Sequence, residues 1–139
     1  MSPSKRVEVA VLFLTVVALA ATTPASAGPL GTVTFLNTGL EPSASGNARV
    51  HVTTMGNGWY FPEGTVSVSC KGLTPGRTYV VEVSPAFVAT PVGIANGNGT
   101  LTIKSHWQSA FNYLPSSVAV YRDPPVGSNG VLGGWIVWK

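Results

Sequence analysis

The chain has 139 residues, of which 45% are hydrophobic and only 9% are charged, with eight Lys and Arg against five Asp and Glu. The formal net charge is only +3 and, apart from Lys5 and Arg6, the basic residues stand singly along the sequence, which argues against a nucleic-acid binder with clustered Lys and Arg. A single cysteine excludes an internal disulfide, so packing must hold the fold.

The first 27 residues have the layout of a secretory signal peptide. Lys5 and Arg6 precede an apolar run over residues 9–21, and the small residues 25–27 follow it. This run is shorter than the ~20 residues that a membrane-spanning helix needs. We therefore expect cleavage after residue 27, no stable membrane span after that cleavage, and export of residues 28–139 to the cell surface or the medium.

Residues 28–139 are predicted to form one all-β domain. No segment shows the 3.6-residue apolar period of a helix, whereas period-two alternation recurs along the chain. The predicted strands cover residues 31–37, 47–54, 65–71, 78–84, 99–107, 116–122 and 131–138, with a weaker candidate at 92–95. Residues with turn chemistry separate them, so we predict about seven to eight strands.

The strands alternate between apolar and polar side chains. In "TVSVSCK" the residues Val66, Val68 and Cys70 share one face, which makes Cys70 a small buried residue. The same alternation turns Trp107 of "TLTIKSHW" toward the core and His106 toward solvent. Antiparallel sheets with one apolar face each bury those faces against each other. The pattern therefore predicts a two-sheet antiparallel sandwich.

The segment "ANGNGT" at residues 95–100 carries the strongest hairpin signal in the chain, because Asn-Gly accepts the positive φ values of a tight turn. It also contains the sequon Asn98-Gly99-Thr100. This sequon marks a glycosylation site in a host that uses the pathway. We predict a β-hairpin here.

The stretch "GLTPGRTY" predicts an arch that carries the chain from one sheet to the other. Leu73 would be buried, Pro75 and Gly76 would form the turn, and Tyr79 would bury its ring and satisfy its hydroxyl against the arch backbone. This resembles the tyrosine corner of fibronectin type III and immunoglobulin-like domains. The resemblance implies an immunoglobulin-like sandwich in which Tyr79 opens the strand after the crossing.

A second resemblance covers "EGTVSVSCKGLTPGRTYVV" and "ANGNGTLTI", which look like the chain plan of the small secreted apoproteins related to neocarzinostatin. Those proteins are immunoglobulin-like sandwiches that carry an apolar small molecule and rely on two disulfides, which Cys70 alone cannot form. This resemblance implies a carrier of a small apolar ligand as the alternative function, and a cleft next to Trp59 or Trp107 would support it.

Few reacting groups are available for an enzyme. Outside residues 1–27 the candidates are Glu41, Glu63, Glu82, Asp123, His51, His106 and Cys70. There is no Gly-x-Ser-x-Gly elbow, no metal-ligand spacing and no phosphate-binding glycine loop. We therefore expect no enzymatic activity, no metal and no cofactor. The remaining catalytic alternative is a hydrolase that combines His51 or His106 with Asp123.

Aromatic residues near loops are the feature that indicates a function. "GNGWYFPEG" places three aromatic residues between glycines and a proline, and "HWQSAFNYLP" sets Trp107, Phe111 and Tyr113 near another loop. Exposed rings of this kind bind sugar faces or protein partners. The alternative is that the rings plug the open ends of the sandwich. We predict a non-enzymatic binding module for a protein or glycan partner. Its predicted binding residues are Trp59, Tyr60, Phe61 and Trp107.

Overall fold

The computed structural model describes residues 28–56, 60–86 and 91–139. The predicted signal segment 1–27 and the predicted binding residue Trp59 lie outside these ranges. Within the described ranges, no helix has the length and apolar character needed to cross a membrane.

In the described residues, ten strands form two antiparallel five-stranded sheets that enclose a common apolar core. Sheet A contains, in spatial order, β10 (Val137–Trp138), β1 (Leu30–Thr34), β3 (Ser45–Thr54), β4 (Glu63–Lys71) and β7 (Leu101–Gln108). Sheet B contains β2 (Leu36–Asn37), β9 (Gly130–Trp135), β8 (Ser117–Arg122), β5 (Thr78–Ser84) and β6 (Val92–Ile94). The all-β, two-sheet antiparallel sandwich predicted from the sequence is confirmed.

The strand count differs from the prediction because the first and the last predicted strands each break in two. One half of each pairs in sheet A and the other half pairs in sheet B. The side chains at the two breaks, Phe35 and Ile136, are buried, at 7% and 9% exposure. A Cβ atom on Gly134 would lie 2.8 Å from Val33 Cγ1, so glycine permits the close approach of these segments.

The predicted alternation of inward and outward side chains is present in the sheets. In β4, Val66 and Val68 are 1% exposed and Cys70 is 4% exposed. Burial raises the pKa of the Cys70 thiol to about 12. Both sheets contribute to the core, which includes Val33, Val50, Val66 and Val68 from sheet A and Tyr79, Val81, Val118 and Val120 from sheet B.

The turn at residues 95–100 is tight, but it is not a β-hairpin. The strand before it pairs with β5 in sheet B, and the strand after it pairs with β4 in sheet A. Asn96 Oδ1 accepts hydrogen bonds from the backbone N–H groups of Asn98 (2.9 Å) and Thr100 (3.0 Å), and Gly99 has a φ of +74°. The local turn chemistry was therefore predicted correctly, whereas the predicted pairing was wrong because the turn connects two sheets.

The arch between β4 and β5 carries the chain from sheet A to sheet B. Leu73 is buried, and Gly76 follows Pro75 with a φ of +76°. Tyr79 is fully buried at the start of β5, and its hydroxyl oxygen accepts a hydrogen bond from the Thr74 N–H at 2.9 Å. The Tyr79 hydroxyl is thus bonded to backbone of the arch, five residues upstream in the sequence.

Candidate functional site

The two aromatic loops predicted from the sequence lie side by side at one end of the sandwich. Residues 55–62 join β3 to β4 and residues 109–116 join β7 to β8, and β4 pairs with both β3 and β7. The Ser109 N–H donates a hydrogen bond to the Pro62 carbonyl oxygen at 2.8 Å, which ties the loops together. We call the exposed aromatic residues of these loops the aromatic end: Tyr60, Phe61, Phe111 and Tyr113.

The rings of Phe111 and Tyr113 form a stacked pair. Their centroids are 5.1 Å apart and their planes differ by 7°. Phe111 is 49% exposed and Tyr113 is 56% exposed, so about half of each side chain remains in contact with solvent. Tyr60, at 69% exposure, adds a third large aromatic surface on the adjacent loop. The aromatic end therefore presents large rings outside the core.

A buried serine holds the loop that carries the stacked pair. Ser109 has 0% exposure, its Oγ donates a hydrogen bond to the Tyr113 carbonyl oxygen at 2.6 Å, and it accepts one from the Phe111 N–H at 3.2 Å. Because one buried hydroxyl bonds to the backbone of both aromatic residues, the pair is positioned before any partner arrives.

A glycine shapes the neighbouring loop. Gly56 has a φ of +81°, and a Cβ atom at this position would lie 2.4 Å from the Tyr60 carbonyl oxygen. No residue with a side chain fits here without a backbone shift. Glycine at position 56 therefore permits the close approach of this backbone to the Tyr60 carbonyl group.

Trp107, one of the predicted binding residues, is a core residue. It is 1% exposed, and its indole Nε1 donates a hydrogen bond to the Thr65 carbonyl oxygen at 3.0 Å. The alternation of β7 turns its ring inward, so a partner at the surface has no access to it. Trp107 is therefore removed from the candidate surface, and Phe111 and Tyr113 take its place.

The residues of the catalytic alternative are not brought together. His51 and His106 flank Thr65 on the outer face of sheet A. Asp123 follows β8 of sheet B, and its N–H bonds to the Thr78 carbonyl oxygen. In the parts of the chain that the structure describes, no group of three or more His, Cys, Asp or Glu residues is placed to hold a metal ion.

A buried carboxylate lies at the opposite end of the sandwich. Glu41 is 6% exposed and accepts hydrogen bonds from the Tyr79 hydroxyl (2.7 Å), the Thr74 N–H (2.8 Å) and Arg122 Nε (2.8 Å). Burial by itself would raise the pKa of Glu41, but the bonds from Tyr79, Arg122 and Thr74 outweigh it and lower this pKa from 4.5 to about 2. Burial, together with the bond to Glu41, raises the pKa of Tyr79.

Glu41 therefore acts as an ionised clamp between the loop after β2, the arch and β8. Sequence reasoning counted Glu41 only as one of a few acids and did not identify this role. Its segment, "NTGLEPSASG", has no alternation or spacing that indicates a buried carboxylate. Its partner Arg122 is 81 residues away in the sequence. The alternation of β8, which puts Arg122 on the same face as Val118 and Val120, was the one available signal.

No protein-family model matches the chain. No curated protein matches it at a significant level.

Proposed function

We propose that this chain is a secreted or cell-surface, non-enzymatic module whose aromatic end binds a protein or glycan partner. The observation that carries the proposal is the stacked pair of Phe111 and Tyr113, fixed by the buried Ser109 while about half of each side chain stays in solvent. The signal-like sequence of residues 1–27 supports export.

The physical reason is the low cost of binding to rings that are already in place. Large aromatic side chains bury a large area with few rotatable bonds, and their ordering before binding reduces the entropy lost in the complex. The Tyr113 hydroxyl adds a polar group that hydrogen-bonds to a partner. Rings of this kind are enriched among the residues that dominate binding energy.

We further propose that the sandwich is immunoglobulin-like and shares its architecture with fibronectin type III domains. The support is the crossing from sheet A to sheet B through Leu73, Pro75, Gly76 and Tyr79, together with the hydrogen bond from the Thr74 N–H to the Tyr79 hydroxyl.

The test compares two double variants of the purified chain. Phe111→Ser/Tyr113→Ser removes the stacked pair, and Val92→Ser/Ile94→Ser removes two apolar side chains of equal or greater exposure on β6, away from the aromatic end. Wild type, variant and control are applied to a glycan array and used in pull-downs from the producing culture. We expect the aromatic variant to lose about tenfold or more in affinity, since each anchor contributes roughly 1 kcal/mol or more.

The control variant is expected to bind as the wild type does. Circular dichroism and thermal unfolding establish that both variants keep the β fold. Equal binding by all three proteins would contradict the proposal, as would a folded aromatic variant with full affinity. Loss of fold in the aromatic variant would show that the rings serve packing.

The second candidate function is a carrier of a small apolar ligand. A cleft of about 480 Å³ lies between the edge strands β6 and β7. Its lining combines the apolar side chains of Val92, Ile94, Leu101 and Ile103 with the polar side chains of Asn96, Thr100, Thr102 and Lys104. This volume is in the range of small-molecule sites. The same pair of variants separates the two functions with an apolar fluorescent dye as the probe. Dye binding that is lost in Val92→Ser/Ile94→Ser and kept in Phe111→Ser/Tyr113→Ser would favour the carrier.

A further inference from the structure

Basic residues that are distant in the sequence form one row on the outer face of sheet A. Arg49 of β3 pairs with Ser67 of β4, and Ser67 pairs with Lys104 of β7. Arg49 and Lys104 are exposed and lie on either side of Ser67. Since neighbouring strands are about 4.8 Å apart, the Cα atoms of these two residues are about 10 Å apart.

The adjacent row repeats the arrangement with histidines, because His51 and His106 lie on either side of Thr65. Lys71 adds a further basic side chain to this face, at the end of β4 opposite Glu63. Among the residues that the structure describes, Glu63 is the one acidic side chain on this face, and it lies at the rim, 3.7 Å from His106 Nε2.

Hydroxyl groups occupy the centre of the same face. They belong to Thr65, Ser67 and Ser69 of β4 and to Thr102 of β7. Beyond them is a cleft of about 430 Å³ whose lining includes Asn47, Ser69, Lys71 and Thr102. We call this surface the cationic band; it comprises Arg49, His51, Thr65, Ser67, Ser69, Lys71, Thr102, Lys104 and His106.

We propose that the cationic band binds an anionic polysaccharide. Carboxylate or sulfate groups of the chain pair with Arg49, Lys71 and Lys104, and sugar hydroxyls exchange hydrogen bonds with the serine and threonine side chains between them. Two cations on either side of a hydroxyl-bearing strand match a ligand that carries charges and hydroxyls in alternation. This proposal does not depend on the aromatic end, which is a separate surface.

The shape and chemistry of the band favour a polysaccharide over a nucleic acid. The major groove of DNA admits a helix or a two-stranded ribbon, whereas a face five strands wide spans about 19 Å and does not enter it. Single-stranded nucleic acids need aromatic rings on which bases stack. In β3, β4 and β7, all of which the structure describes, no Trp, Tyr or Phe side chain lies on this face.

The experiment measures binding of the purified chain to four probes. Heparin carries sulfates and carboxylates, polygalacturonate carries carboxylates only, dextran is neutral, and an oligothymidylate represents single-stranded DNA. We expect both anionic polysaccharides to bind, with an affinity that falls as NaCl is raised, and dextran not to bind. Tighter binding to heparin would indicate that sulfate groups are recognised, and tighter or equal binding to polygalacturonate would indicate carboxylates.

Matched variants assign the surface. Arg49→Ser lies in the band, and Arg77→Ser makes the same change in charge and side chain at an exposed position of the arch. We expect Arg49→Ser to lower the affinity for the anionic polysaccharide about two- to fivefold, because one exposed ion pair is lost, and Arg77→Ser to leave this affinity unchanged. Lys104→Ser, on a different strand, is expected to lower this affinity as much as Arg49→Ser does. The double variant Arg49→Ser/Lys104→Ser is expected to lower it about tenfold. Thermal unfolding verifies that each variant is folded.

Four results would overturn the proposal. They are the absence of binding to both anionic polysaccharides at low salt, an equal loss for Arg77→Ser, tighter binding to the oligothymidylate, and loss of polysaccharide binding in Phe111→Ser/Tyr113→Ser. The last result would move the polysaccharide to the aromatic end. Retained binding in that variant supports the band whether or not the aromatic end proves to have a partner.

Discussion

The substitution Glu41→Gln tests the buried clamp with almost no change in size. The neutral amide keeps one oxygen acceptor but turns an NH₂ group toward donors that now bond to a carboxylate. Arg122, whose side chain is 22% exposed, loses its counter-ion. Because Glu41 is 6% exposed, solvent compensates little for these changes.

The pKa of Glu41 sets the size of the effect. Its fall from 4.5 to about 2 on folding corresponds to about 3 kcal/mol, at about 1.4 kcal/mol for each pKa unit. Breaking a buried ion pair by removing one partner costs about 3–5 kcal/mol, and the partial exposure of Arg122 favours the lower end. We expect Glu41→Gln to lower the free energy of unfolding by roughly 2–4 kcal/mol at pH 7.

The effect has a defined pH window. A carboxyl group whose pKa is lower in the folded chain stabilises the fold above pH 4.5, and this contribution is lost as the pH falls toward 2. Urea unfolding of wild type and variant at a series of pH values measures it. We expect the difference between the two free energies of unfolding to be constant from pH 7 to pH 5 and to shrink by about 3 kcal/mol at lower pH.

The control is Glu82→Gln, which makes the same chemical change on the outer face of sheet B, where Glu82 is partly exposed. It is expected to change the free energy of unfolding by less than about 0.5 kcal/mol. A difference between wild type and Glu41→Gln that does not vary with pH would refute the reasoning. So would an equal cost for Glu82→Gln.

Two further predictions concern single hydroxyls. Tyr79→Phe removes the hydroxyl group that accepts a hydrogen bond from the Thr74 N–H and donates one to Glu41. We expect the free energy of unfolding, measured with urea, to fall by about 1–3 kcal/mol. An unchanged stability would mean that the arch does not depend on this bond. Ser109→Ala removes both hydrogen bonds that hold the stacked pair, so we expect about 1 kcal/mol lower stability and a several-fold weaker partner affinity in the pull-down assay. Full affinity in a destabilised Ser109→Ala protein would show that the order of the loop does not matter for binding.

The parts of the fold that sequence reasoning predicted depend on local chemistry. Alternation along a strand places Val66 and Val68 on the same face in any sheet, because successive side chains point to opposite sides. Asn96 and the proline and glycine of the arch set the backbone conformation only within a few residues of their own positions. Such short-range patterns were sufficient to predict the apolar and the solvent-facing sides of the sheets, the turns and the two-sheet sandwich.

The proposed binding surfaces depend on strand pairing, which no short segment contains. Arg49 and Lys104 stand singly in the sequence, and only the register of β3, β4 and β7 places them in one row. Glu41 meets Arg122 across 81 residues because the loop after β2 packs against β8 in the folded chain.

The sequence by itself therefore determined which side chains face the core, because that choice repeats with the two-residue period of a strand. Only the tertiary structure decided which strands are neighbours and in which register they pair. Pairing is set by long-range contacts and the entropy of closing the loops between them, and a shift of one residue would turn every side chain to the other face. For this reason the scattered basic residues become a single band only in the folded chain.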